Sequence, residues 1–135
     1  ELGADETINY KTTPEWERRV FELTGKAGAD HVIELGGAGT LQKSLESARY
    51  GGRISLIGVL TGFDGTVNPW LVTAKSLTVQ GIYVGSRAMF EEMNRAIDQN
   101  GLKPAIDRVF DFAEAPAAFE RMAAGAHFGK IVIRI

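Results

Sequence analysis

The segment Arg53 to Leu60 (RISLIGVL) is apolar almost without alternation, and this constrains the fold more than any other feature. A strand with one face in water alternates apolar and polar side chains; one that is apolar throughout is covered on both faces, as in a parallel sheet. Parallel strands need long crossovers, so helices are expected on either side of this segment. The chain supplies them. Glu6 to Tyr10 (ETINY) reads as a strand, and Thr13-Pro14 as the cap and first turn of a helix to Leu23 whose Trp16, Val20 and Leu23 share one face. His31 to Leu35 reads as the next strand. A Gly-rich turn and a helix with Leu41, Leu45 and Ala48 on one face follow, closed by Gly51-Gly52. Beyond Leu60 come a short helical turn from Pro69 to Ala74, a strand from Leu77 to Val84, and a helix capped by Ser86 that presents Phe90, Met93 and Ile97. This alternation predicts an α/β fold, a doubly wound parallel sheet with helices on both faces.

After Lys103-Pro104 the rhythm changes. Ile106 to Phe110 reads as a strand, Glu114 to Ala124 as a helix with Phe119 and Met122 inward, and Lys130 to Ile135 as a last strand. Residues 1–104 and 105–135 are therefore expected to be separate structural layers. The opening Glu1 to Asp5 reads as the last turn of a helix, a Gly stop and the approach to a strand, which predicts a sequence starting mid-unit within a longer parent.

Composition excludes several classes. Over 135 residues, 44% are hydrophobic and 24% charged, which is ordinary for a globular chain and argues against disorder. The net charge of −2 gives no basis for electrostatic capture of nucleic acid or an anionic membrane. Small molecules and other protein subunits are the expected partners. No apolar run approaches the length of a membrane span. Cysteine is absent, which removes thiolate zinc sites and disulfides and fits a reducing compartment; a cytoplasmic location is expected.

Ligands of open α/β sheets sit at the carboxyl ends of the strands, and three such ends here carry glycine. They are Gly36-Gly37-Ala38-Gly39 after one strand, Gly58 in the next, and Gly81 with Gly85-Ser86-Arg87 at the third. Taken singly these are tight turns; together they point to a flat ligand approached by backbone. The dinucleotide fingerprint itself is absent, because position 42 is Gln where a third glycine is required and no acid ends the following strand. Glu34-Leu35-Gly36 also resembles the acidic-Gly motif of S-adenosylmethionine methyltransferases, although Thr61-Gly62 offers no carboxylate for the ribose.

In order and spacing, INYKT, GADHVIELGGAGTL, YGGRISLIGVLTG, KSLTVQGIYVGSR and HFGKIVIRI resemble the medium-chain dehydrogenase/reductase superfamily, the zinc-type alcohol dehydrogenase and quinone oxidoreductase group. That resemblance implies a longer parent with an N-terminal catalytic domain and a Rossmann domain. Residues 1–104 would be the back of that Rossmann domain, with four of its six strands but not the G-x-G-x-x-G turn, and 105–135 a tail returning to the catalytic domain. It implies NADP or NAD as cofactor, and hydride transfer to or from an alcohol, carbonyl or quinone-like substrate. Leu35, Gly36 and Gly37 would lie beside the adenosine. Ile57, Gly58 and Val59, with Ile82 to Val84, would offer backbone groups to the nicotinamide carboxamide, Lys130 would approach the pyrophosphate, and Tyr10 would touch the ribose or its 2′-phosphate.

Any zinc ligands and proton relay would belong to the parent's other domain, so no catalytic residue and no metal ligand is assigned here. His31 and His127 are read as structural. Alone, the chain is expected to be inactive and to bind the cofactor poorly. The resemblance also implies homo-oligomers joined through sheet edges, and a non-catalytic, self-associating module is the alternative of a different class.

Overall fold

The computed structural model describes residues 2–135 and divides into two compact units, Glu1–Val84 and Gly85–Ile135. In the first unit the elements run α1 (Trp16–Leu23), β1 (Ala29–Glu34), α2 (Leu41–Ser47), β2 (Ala48–Leu56), α3 (Trp70–Ala74) and β3 (Thr78–Gly81). The sheet order is β1-β2-β3, parallel throughout, as the uninterrupted apolar run requires. Leu45, Ala48, Ile54 and Leu77 form the buried core, with Val32, Leu41, Leu71 and Val72 packed against them. One sheet face is thereby covered by α2 and α3.

Three local expectations are corrected. Glu6–Tyr10 is not a strand: Asn9 instead organises a turn, its side chain accepting from the Lys11 N–H at 3.0 Å and its carbonyl from the Thr13 N–H at 2.8 Å. β-forming residues become a strand only beside an edge that pairs with them, and none does so here among the described residues. The unit accordingly has three strands where four were expected. Gly51-Gly52 does not close a helix either. α2 stops at Ser47 because the Lys75 ammonium donates to the carbonyls of Leu45, Glu46 and Ala48, and both glycines fall inside β2. Finally, β2 and β3 end at Leu56 and Gly81, short of Leu60 and Val84; for β2 the reason lies in the site described below.

The second unit contains α4 (Arg87–Gln99), β4 (Ile106–Asp111), a 3₁₀ turn at Phe112–Glu114, α5 (Ala115–Ala123) and β5 (Lys130–Arg134). The Ser86 hydroxyl caps α4 by accepting from the Met89 N–H at 3.2 Å. β4 and β5 are parallel and joined through α5, a single βαβ crossover. Asp107 ties the unit together, accepting from Arg121 Nε and Nη2 at 2.5 and 2.9 Å and from the Phe128 N–H at 3.3 Å. The Arg121 hydrogen bonds hold its carboxyl well below the usual range, at about 2. A group with a depressed folded pKa contributes stability above its ordinary pKa and loses it as pH falls through the depressed one. NMR titration should therefore place the Asp107 midpoint near 2, and Arg121→Leu should return it to the ordinary carboxylate range; a midpoint unmoved by the substitution would refute the pairing.

Among the described residues no helix is long and apolar enough to cross a membrane.

Candidate functional site

Register places the carboxyl ends of the three parallel strands side by side: Glu34 pairs with Leu56, and Leu56 with Gly81. The three connections that leave those ends, starting at Leu35, Ile57 and Ile82, thus emerge along one edge of the sheet.

Glu34 governs the first of them. Its side chain is only 3% exposed. One carboxylate oxygen accepts from the Gly36 N–H at 2.7 Å, the Gly37 N–H at 2.9 Å and the Thr40 hydroxyl at 2.5 Å; the other accepts from the Ser44 hydroxyl. Burial pushes the Glu34 pKa up, but the hydrogen bonds from Ser44, Thr40, Gly37 and Gly36 together outweigh it and leave the carboxyl below its ordinary value. The residue is a fixed anion beneath the Gly-rich turn. Its backbone carbonyl accepts from both the Ile57 N–H at 2.9 Å and the Gly58 N–H at 3.2 Å. That shared bond draws the chain out of the ladder and is why β2 ends at Leu56.

Two glycines let the first and second connections touch. Gly37 has φ +79°, and a Cβ there would lie 2.7 Å from Val59 Cα. A Cβ on Gly58 would run into the Leu35 carbonyl oxygen, with Leu35 Cα only 3.0 Å away. Thr61 fastens the contact: its hydroxyl accepts from the Gly39 N–H at 2.7 Å and donates to the Gly36 carbonyl at 2.8 Å.

Two open grooves flank this junction. One, of about 300 Å³, is lined by Tyr10, Leu35 and Gly36 together with Ile8, Trp16 and Glu34. The other, of about 360 Å³, is lined by Ile57, Gly58, Val59 and Ile82 with Phe63 and Tyr83. Of the expected residues, Gly37 lies at the junction and Val84 just beyond Tyr83, outside the lining of both grooves. Lys130 belongs to the second unit, where it opens β5 with its N–H on the Ala105 carbonyl at 2.8 Å.

In the second groove the N–H groups of Ile57, Gly58 and Ile82 are already engaged, the last with the Leu56 carbonyl at 2.9 Å. The N–H groups of Val59, Tyr83 and Val84, and the carbonyls of Ile57, Gly58 and Ile82, have no backbone partner among the described residues. A planar amide needs both a donor and an acceptor, and the backbone just beyond the two strand ends offers both. The residues therefore fit a carboxamide-bearing ring. Sequence reasoning missed Glu34 as a structural anion, Thr61 as a clasp, and the rings of Phe63 and Tyr83, which are 87% and 92% exposed. Only the last carried a signal: each aromatic follows an apolar strand by a few residues.

His31 Nε2 is hydrogen-bonded to the Ser55 hydroxyl at 2.8 Å, and no group of three or more His, Asp or Glu side chains suited to a metal exists among the described residues. Zinc therefore finds no fitting ligand set in them.

A zinc-type alcohol dehydrogenase-like protein of Schizosaccharomyces pombe is 38% identical over 99% of the chain, which covers 40% of that protein. The crystal structure of an NAD-dependent alcohol dehydrogenase superposes with a TM-score of 0.86 at 32% identity, over 98% of this chain and 38% of that one. A crotonyl-CoA carboxylase/reductase solved in complex with NADP gives 0.78 at 26% identity, over 91% and 31%. The chain thus spans about two fifths of the length of the curated relative. The family model described as zinc-binding dehydrogenase matches residues 2–133, nearly the whole sequence, and the chain belongs to that family.

Proposed function

We propose that these residues form one wall of the nicotinamide cleft in a longer oxidoreductase that moves hydride between NAD(P)H and an alcohol, carbonyl or quinone-like substrate. The observation that carries this is the groove at Ile57–Val59 and Ile82, where aligned strand ends present unpaired backbone donors and acceptors. The dinucleotide, when bound, supplies or takes up the hydride. The backbone of Ile57, Gly58, Val59, Ile82 and Val84 orients the carboxamide, and with it one ring face. Phe63 and Tyr83 line the same groove. Leu35, Gly36 and Gly37 lie along the adenosine, with Tyr10 at the ribose or its 2′-phosphate. Lys130 offsets pyrophosphate charge.

Residues 1–104 act as part of the dinucleotide-binding domain, and 105–135 as the tail returning to a catalytic domain. That domain holds the proton relay and any zinc. The parent is read as a homo-oligomer, and as cytoplasmic because a sequence without cysteine suits a reducing compartment. The methyltransferase alternative gives way to the family match, and Glu34, its supposed signature, is spent on its own turn.

Fluorescence titration with NADPH and NADH tests the reading. The full-length protein carrying this sequence should bind one of them with micromolar affinity, whereas the 135 residues alone should bind far more weakly, since no helix N-terminus bearing the fingerprint lies within them. No binding of either dinucleotide by the full-length protein would overturn the proposal.

A further inference from the structure

Glu34 is the only charged residue among the described residues that is buried, and it touches both connections that meet at the sheet edge. Its carboxylate holds Gly36 and Gly37 from below; its carbonyl holds Ile57 and Gly58 from the side. One oxygen serves three donors and the other the buried Ser44 hydroxyl, and with the residue only 3% exposed both oxygens face the protein's own donors rather than a ligand hydroxyl. An acid at the end of a strand in such a sheet is expected to read a ribose. This one is turned inward. We propose that Glu34 is a positioning residue for the dinucleotide: it fixes Leu35–Gly37 against Ile57–Val59 and thereby sets the spacing between the two grooves, without touching the ligand.

A carboxylate suits this task because its lone pairs satisfy all four donors at once, and charge strengthens each bond. Glutamine has the same shape but presents an NH₂ group where one oxygen stood, facing Ser44 as a donor. Glu34→Gln should therefore loosen the turn without emptying the site.

The inference rests on the cofactor-wall reading, and the experiment separates the two. In the full-length protein, NADPH and NADH affinities are measured for wild type, Glu34→Gln and Thr40→Val. Hydrogen exchange of residues 35–40 and kcat at saturating dinucleotide are followed in parallel. Glu34→Gln should weaken dinucleotide binding about tenfold, the scale of one charge-assisted hydrogen bond, with faster exchange in residues 35–40 and kcat within about twofold of wild type. Thr40→Val, which removes one of the four donors, should shift affinity and exchange in the same direction by less.

Unchanged affinity in Glu34→Gln, with or without faster exchange, overturns the positioning role, as does a fall in kcat at unchanged affinity. Failure of wild type to bind sinks the cofactor wall itself, a distinct result. Should Glu34→Gln not fold, Thr40→Val decides alone: unchanged affinity there refutes the proposal.

Discussion

Gly58→Ala should destabilise the protein by about 3 kcal/mol and abolish dinucleotide binding, because the added methyl has nowhere to go. A Cβ at this position overlaps the Leu35 carbonyl oxygen and lies 3.0 and 3.1 Å from Leu35 Cα and C. These are backbone atoms, so no side-chain rotation relieves the clash. Nor can the second connection simply retreat, since the Gly58 N–H is bound to the Glu34 carbonyl at 3.2 Å and the Ile57 N–H shares that acceptor. Any shift breaks one of these bonds or pushes Leu35 into the neighbouring groove. Gly81→Ala is the matched control: it ends the adjacent strand, yet a Cβ there meets nothing within 4 Å, and a surface substitution of this kind should change stability by no more than about 0.5 kcal/mol. Urea unfolding followed by the fluorescence of Trp16 and Trp70 compares the two. Equal stability in both variants would mean that the approach of the two connections is loose, and the slot with it.

The same two connections mark the limit of what a sequence discloses. Element order was legible because periodicity is local: the apolar run at Arg53–Leu60, the helical faces and the Ser86 cap each depend on a few neighbouring residues. Element ends were not. β2 stops at Leu56 because a carbonyl on another strand takes two successive N–H groups, an event with no counterpart in the residues around Ile57. Glu6–Tyr10 has the composition of a strand but not its pairing, and Gly51-Gly52 carries a helix-stop signal that Lys75, far along the chain, makes redundant.

Within the site, Gly37 and Gly58 could be singled out as glycines, but not the reason each is one, since each accommodates the other's connection. Glu34 was harder still. Its donors sit at Gly36, Gly37, Thr40 and Ser44, and only the folded turn shows that they converge on one carboxylate. An isolated acid before a glycine pair reads as a ligand contact.

That convergence makes stability depend on pH in a definite direction. Glu34→Leu should cost about 3 kcal/mol near neutral pH, because it leaves the Gly36 and Gly37 N–H groups and the buried Ser44 hydroxyl without their acceptor. In the wild type the folded-state pKa of Glu34 is lowered, burial being outweighed by those four hydrogen bonds, so the carboxylate stabilises the fold above its ordinary pKa. As pH falls below that ordinary value toward the depressed folded one, protonation of the native carboxyl withdraws the contribution. The gap between wild type and Glu34→Leu should therefore be widest at neutral pH and narrow steadily on acidification, while the Leu variant, with nothing at this position to titrate, shows a flatter acid limb. Equilibrium urea unfolding of both proteins at a series of pH values reads this out as the difference in midpoint. A difference that stays constant or grows toward low pH would mean that Glu34 is held neutral in the folded chain, and that packing rather than charge orders the Gly-rich turn.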